Sequence, residues 1–148
     1  MAKKTYSDKL KDPRWQKLRL LIMERDGWRC KICGDEKSTL NVHHLSYHGN
    51  PWETPADQLI TYCEYCHAIV EWYKKQNLIF KPYSLQKNAL TNGDIQLIML
   101  YTNDEEEEYI DVFHWKDGDL IYKSSISYWV IHRIDHFFKL INEEFSDG

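Results

Sequence analysis

The chain has 148 residues, of which 43% are hydrophobic and 14% aromatic, enough to bury the core of one modest domain or of a small domain with an appendage. It contains no run of eighteen apolar residues, so a membrane-spanning helix is excluded. The charged N-terminus MAKKTYSDKL lacks the apolar stretch of a signal peptide, and we therefore expect an intracellular, cytoplasmic protein.

The net charge of −4 does not by itself indicate a nucleic-acid-binding protein. The charge is unevenly distributed, because residues 1–37 contain 11 Lys or Arg and 6 Asp or Glu, whereas residues 38–148 contain 8 and 17. One interpretation is a basic N-terminal part that meets phosphates, and the other is an imbalance without function. Candidate phosphate contacts, which could equally form the solvated face of a helix, are Arg14, Lys17, Arg19, Arg25 and Arg29.

A helix is predicted to begin at Asp12 and Pro13, since Asp caps backbone N–H groups and Pro fits the first helical position. Gly27 is predicted to end it, and the apolar residues between recur at helical spacing: Trp15, Leu18, Leu21 and Ile22. Residues 39–45 alternate as a strand does. One face of that strand would carry Leu40, Val42 and His44, and the other Asn41 and His43.

A second helix is predicted from Cys63 to about Gln76, with a buried stripe of Tyr65, Ile69, Trp72 and Tyr73. A domain boundary is expected near residue 80. In the second half, strands are predicted at 95–101, 109–115 and 120–122, with an acidic loop at 104–108 and a turn at 116–118. An amphipathic helix capped by Ser124 or Ser125 and continuing to about Ile141 is predicted to follow.

All four cysteines fall in two CxxC pairs, Cys30 with Cys33 and Cys63 with Cys66. In a reducing compartment, thiols in this arrangement indicate metal binding rather than disulfides. Two intervening residues allow both sulfurs of a pair to face one point, so the two pairs can supply four thiolates to one Zn²⁺. Because four sulfur ligands fill the tetrahedral coordination sphere of Zn²⁺ and leave no coordination position for water, we interpret this zinc as structural. Redox-active thiols are the alternative interpretation.

Three histidines lie beside the cysteine pairs. His43 and His44 are adjacent on the predicted strand and would point to opposite faces, so packing in a core could explain only one of them. His67 directly follows Cys66, which constrains its position closely. If the strand and the following helix pack together, His43 or His44 can meet His67.

The ordered pattern CxxC, HH, CxxCH resembles the HNH endonuclease family, whose ββα-metal unit is a strand pair and a helix around a divalent ion. The similar segments are RDGWRCKICG at 25–34, LNVHHL at 40–45, PWE at 51–53 and LITYCEYCH at 59–67, within residues 12–76. The resemblance implies an α+β protein with an HNH nuclease domain at 1–80 that contains the four-cysteine structural zinc. Residues 81–148 would be a small α+β extension that dimerises the enzyme, selects substrate or binds a partner.

The resemblance also assigns roles. His43 and His67 match the ligands of the catalytic ion, Mg²⁺, Mn²⁺ or a similar divalent cation, and His44 matches the general base. Gln58 occupies the position of the family's central Asn, which orients the loop that holds the base. Asn41 or Asn50 could take that role instead, and His48 and Glu71 are candidate auxiliary ligands. The implied activity is hydrolysis of phosphodiester bonds in nucleic acid, with DNA expected.

Two other functions remain open on the sequence. A catalytically silent zinc module that binds nucleic acid or a protein partner is favoured by Gln58 in place of Asn and by the acidic net charge. A thiol redox protein would undergo reversible oxidation of Cys30 and Cys33 without bound zinc. Trp52, in the segment PWE, is interpreted as a packing residue rather than a base-stacking one.

Overall fold

The computed structural model describes residues 2–47 and 49–127. It is a mixed α+β structure with two antiparallel sheets, one of two strands and one of four. Within the described residues, no helix combines the length and the apolar character that crossing a membrane requires.

The basic N-terminal part of the chain forms two helices, α1 (Tyr6–Leu10) and α2 (Pro13–Arg25). The predicted start of α2 is confirmed: the Asp12 side chain accepts a hydrogen bond from the backbone N–H of Arg14, and Pro13 is the first helical residue. The buried stripe of α2 differs in part from the predicted one, since Met23 is buried and Leu21 is half exposed. The helix ends before Gly27, whose φ of 74° is favourable for glycine.

A hairpin follows, with strands β1 (Leu40–His44) and β2 (Leu59–Cys63) paired antiparallel, so that His43 lies opposite Ile60 and His44 opposite Leu59. Antiparallel partners share a face, so the alternation predicted for β1 also governs β2. The core of this part lies between α2 and the hairpin. It consists of Trp15, Ile22, Met23, Val42 and Leu59, with Leu10, Leu18, Leu40 and Trp52 packed at its edge.

Helix α3 (Glu64–Lys75) begins directly after β2. Ile69 and Tyr73 of its predicted stripe are buried, and Tyr65 and Trp72 are partly buried. The chain divides into two compact units within this helix, between Val70 and Glu71, whereas the boundary expected near residue 80 would fall after the helix has ended.

The second unit contains a meander of four antiparallel strands in sequential order. The strands are β3 (Lys81–Ala89), β4 (Ile95–Thr102), β5 (Glu108–Lys116) and β6 (Asp119–Ser127). The sequence predicts β4 and β5 well because both are central and bury alternate residues. It does not predict β3, an edge strand that is mostly exposed and is irregular near Pro82.

The predicted start of a helix at Ser124 or Ser125 is wrong. Both residues belong to β6, where they pair with Val112 and Asp111 of β5. The backbone hydrogen bonds of the sheet take the place of the helix cap that a serine can provide locally. The remainder of that predicted helix, from residue 128 onward, lies outside the described residues.

Candidate metal centre

The structure brings the four cysteines together. Each of their sulfurs lies within 4.8 Å of the other three, and all but that of Cys33 belong to buried residues. The Sγ atoms of Cys33 and Cys63 are 3.7 Å apart. Two thiolates on one tetrahedral Zn²⁺, each about 2.3 Å from the ion, are separated by roughly 3.8 Å. The spacing therefore fits a closed four-sulfur site, and the cluster could hold a metal ion such as zinc.

The backbone explains how two distant segments supply these sulfurs. The first pair lies in a tight turn in which the N–H of Gly34 donates to the carbonyl of Cys30 at 2.9 Å, with Gly34 at a φ of 75°. The second pair spans the junction of β2 and α3, where the N–H of Cys66 donates to Sγ of Cys63 at 3.4 Å. A hydrogen bond of 2.9 Å from the N–H of Lys31 to the carbonyl of Thr61 joins the turn to β2.

The thiols perturb one another strongly. The pKa of the Cys30 thiol is lowered because the other three thiols can donate hydrogen bonds to its sulfur. The pKa of the Cys66 thiol is raised because this thiol donates hydrogen bonds to the other three sulfurs of the cluster, which favours its protonated form. Burial raises the pKa of this thiol further. The four sulfurs thus compete for protons in a buried site. A divalent cation could take the place of those protons, since it can neutralise several thiolates at once.

A second group of potential ligands is formed by His43 of β1 with His67 of α3. Their ring centroids are 5.3 Å apart with an interplanar angle of 72°. Glu71 lies one helical turn after His67, so α3 presents both side chains on one face. One ligand atom from each of these three residues lies within 4.8 Å of the others. His43 is buried and also stacks on Tyr62, at 5.5 Å between ring centroids.

His44, the predicted general base, has different neighbours from His43. Its ring is stacked between Trp15 of α2, at 4.8 Å and 23°, and Tyr47, at 5.2 Å and 11°. This follows from strand alternation, because β1 turns His43 toward α3 and His44 toward α2. Only 5% of His44 is exposed. The structure thus separates the surroundings of the two histidines, and the role of His44 as a base stays a prediction.

Gln58, the residue expected to orient the loop that holds His44, contacts the segment directly after that histidine. Its side-chain Oε1 accepts a hydrogen bond from Oγ of Ser46 at 3.0 Å, and its carbonyl accepts one from the N–H of Leu45 at 2.9 Å. The alternative residue Asn50 instead caps a short 3-10 turn at Pro51–Glu53. The other alternative, Asn41, lies within β1. The candidate auxiliary ligand His48 lies outside the described residues.

Several candidate phosphate contacts already bind other groups. Arg25 pairs with Asp26 through two hydrogen bonds of 2.8 and 3.0 Å and donates to the carbonyls of Ala56 and Leu59. Arg25 therefore holds the hairpin against α2. Arg14 pairs with Asp12 and lies 4.0 Å from the ring centre of Trp52.

Arg29 pairs with Glu36 at 2.6 Å, and both side chains are more than half exposed. Such an exposed pair contributes little to stability and can exchange for a phosphate. Trp52 packs at the edge of the core, in agreement with the packing role expected for it.

Sequence reasoning did not find Trp15 and Tyr47 as the neighbours of His44, or Asp26 as a partner of Arg25 and Thr61. The contacts of His44 with Trp15 and of Asp26 with Thr61 join segments that are distant in the chain, so no local pattern predicts them. Comparison of the chain with protein-family models, curated proteins and solved structures finds no match.

Proposed function

We propose that the protein is a metal-dependent endonuclease of the HNH type that hydrolyses phosphodiester bonds of DNA. The observation that carries the proposal is the proximity of His43 and His67, with Glu71 beside them, next to a four-sulfur cluster. The order of these groups along a hairpin and the helix that follows it is the order of the ββα-metal unit. The four-sulfur cluster would hold a structural zinc that anchors the hairpin to the helix.

The donor set of the second group suits a divalent ion. Two imidazoles and one carboxylate could hold Mg²⁺, Mn²⁺ or a similar cation and still leave positions for water and a phosphate oxygen. When bound, such an ion would supply positive charge against the scissile phosphate and the leaving 3′ oxygen. His43, on a strand, and His67, on a helix, belong to regular elements, which would keep their ligand atoms in place.

His44 would accept the proton of the attacking water. A neutral imidazole with an ordinary pKa of about 6.5 can do so at cellular pH. The contacts of Gln58 with Leu45 and Ser46 would hold the chain just after His44 and so limit its movement.

A plasmid-cleavage assay with Mg²⁺, Mn²⁺ or Ni²⁺ tests the proposal. We expect the zinc-loaded protein to cut. His44→Ala should reduce the rate at least about a hundredfold, the order of magnitude typical of a lost acid–base group. His67→Ala should also reduce the rate, because it removes a ligand of the catalytic ion. His114→Ala, which removes a histidine from β5 in the second unit, is the matched control and should cut normally. Equal cutting by all four proteins would refute the assignment.

The second candidate is a zinc module that binds nucleic acid or a protein without cutting. It is favoured by the enclosure of His44 between Trp15 and Tyr47, since a ring packed on both faces can serve the fold alone. This candidate predicts binding under every divalent ion and products under none. It also predicts that His67→Ala leaves the affinity for Mn²⁺ unchanged, whereas the nuclease proposal predicts that this affinity falls.

A further inference from the structure

Two exposed tyrosines of the first unit, Tyr6 and Tyr47, have their aromatic rings in contact. Tyr6 lies at the start of α1, and Tyr47 lies three residues after the end of β1. Their ring centroids are 6.4 Å apart with an interplanar angle of 67°, so the edge of one ring meets the face of the other. Tyr6 is 49% exposed and Tyr47 is 57% exposed. We refer to Tyr6 and Tyr47 as the surface tyrosine pair.

The surface tyrosine pair is connected to the core through Tyr47. Tyr47 stacks on His44, and His44 stacks on Trp15, so three rings run in series from the buried face of α2 to the surface. The backbone just before Tyr47 is held by the hydrogen bonds of Leu45 and Ser46 to Gln58. A ring that is already held loses little conformational entropy when a ligand stacks on it, which favours binding.

Positive charge is concentrated around Tyr6 in the sequence. Residues 1–17 contain six Lys or Arg and two Asp. Both aspartates have local structural roles, because Asp8 forms a capping box with Thr5 and Asp12 caps α2 and pairs with Arg14. Five positive charges then remain, on two lysines before α1, one within it, one directly after it and one on α2, and they would attract phosphates. These residues are Lys3, Lys4, Lys9, Lys11 and Lys17.

We propose that the surface tyrosine pair binds single-stranded or locally unpaired nucleic acid by stacking on its bases, while the lysines within and beside α1 meet its backbone. Held aromatic rings among cations are the recognition elements of unpaired strands, in which the base faces are accessible. In a duplex, neighbouring base pairs cover those faces. This inference rests on the proposed function and specifies its substrate class, since it places an unpaired segment beside His44.

Affinity for short oligonucleotides tests the inference without cleavage. The zinc-loaded protein of 148 residues is titrated into a fluorescein-labelled single strand of about 12 nucleotides, a length within the site sizes of single-strand binders. It is also titrated into the duplex of the same sequence, and both titrations use buffer with no added divalent ion. Fluorescence anisotropy should show about tenfold or tighter binding to the single strand. Binding should also weaken as the salt concentration rises, because phosphate contacts release counterions.

Substitution of the rings locates the binding surface. Tyr6→Ala and Tyr47→Ala should each weaken single-strand binding about tenfold, the effect of removing one stacking ring, and Tyr47→Phe should bind as the wild type does. Tyr83→Ala is the matched control, since Tyr83 is 45% exposed on β3 of the second unit. Tyr6 belongs to α1 and not to the hairpin that carries His44, so Tyr6→Ala remains informative if Tyr47→Ala lowers the zinc content or the melting temperature.

The outcomes separate this inference from the nuclease proposal. Duplex binding as tight as single-strand binding, unchanged affinity in both alanine variants, or tighter binding of a poly-glutamate peptide would each overturn the inference. Single-strand binding that depends on both tyrosines, with no products under any divalent ion, would support it and refute the nuclease. Cutting of duplex DNA without any preference for the single strand would do the reverse.

Discussion

The carboxylate of Asp26 accepts a hydrogen bond of 2.9 Å from the backbone N–H of Thr61, and this contact joins the end of α2 to the middle of β2. Asp26 is buried, and Arg25 donates to both of its oxygens. The same β2 residue accepts through its carbonyl from Lys31 in the first cysteine turn. Thr61 thus connects α2, the hairpin and the cysteine cluster through its backbone groups alone.

Replacement of Asp26 should destabilise the first unit. We expect Asp26→Asn to lower the free energy of unfolding by about 2 kcal/mol, because it removes the charge from a buried group that accepts hydrogen bonds from Arg25 and Thr61. Urea denaturation followed by circular dichroism measures the change. Asp57→Asn, at an exposed position, is the control and should be neutral within about 0.5 kcal/mol. A loss no larger than that of the control would contradict the role of this contact.

The contribution of Asp26 should depend on pH. Burial raises the pKa of its carboxyl, but the hydrogen bonds from Arg25 and Thr61 lower it by more, so the folded pKa lies below the ordinary value. The unfolded chain, with a pKa of about 3.9, then binds more protons than the folded one between the two values. The stabilisation is complete above about pH 5 and is lost as the pH falls through the folded pKa. The difference between wild type and Asp26→Asn should therefore shrink on acidification, whereas a constant difference would argue against a titrating carboxylate.

Trp15 should contribute to stability far more than an exposed tryptophan. It is 4% exposed and packs in the core beneath His44, so Trp15→Ala should cost about 3–5 kcal/mol. Trp28→Ala provides a matched control because Trp28 is 49% exposed, and it should cost less than about 0.5 kcal/mol. Equal losses in urea denaturation would show that the core is not where the structure places it.

Zinc removal should unfold the first unit. A structural zinc site contributes roughly 10–16 kcal/mol at neutral pH, as much as or more than the whole stability of a typical domain. Elemental analysis should find about one zinc per chain, as a closed four-thiolate site requires. Cys66→Ser, at a fully buried cysteine of the cluster, should lose the zinc together with the dispersed amide signals of the first unit. A zinc-free protein that keeps its fold and oxidises reversibly at Cys30 and Cys33 would instead support the redox interpretation.

Gln58 should act as a positioning residue. If its hydrogen bonds to Leu45 and Ser46 hold the chain that follows His44, Gln58→Ala should lower the cleavage rate about tenfold or more, since small displacements of a reacting group are costly. Zinc content and the pH at which the rate is half-maximal should not change. Gln86→Ala on β3 is the control for loss of a glutamine side chain. An unchanged rate in Gln58→Ala would leave the residue with a structural role only.

Local patterns in the sequence were sufficient for much of the first unit. The Asp12–Pro13 start of α2, the alternation of β1 and the position of α3 depend on near neighbours and on a regular period, and all three were predicted. The second unit was harder to predict because the edge strand β3 buries few residues, so its burial pattern is weak. In addition, Ser124 and Ser125 pair within β6, although serine is also a common helix cap.

The groups available for chemistry follow directly from the order of residues: two CxxC pairs, three histidines in order beside them, and a basic N-terminal part. Which of these groups meet depends on how the chain packs. This packing placed His43 against His67, stacked His44 between Trp15 and Tyr47, and engaged Arg25 with Asp26. Spacing along a strand or helix sets the direction of each side chain, whereas the neighbours of that side chain depend on how distant segments pack.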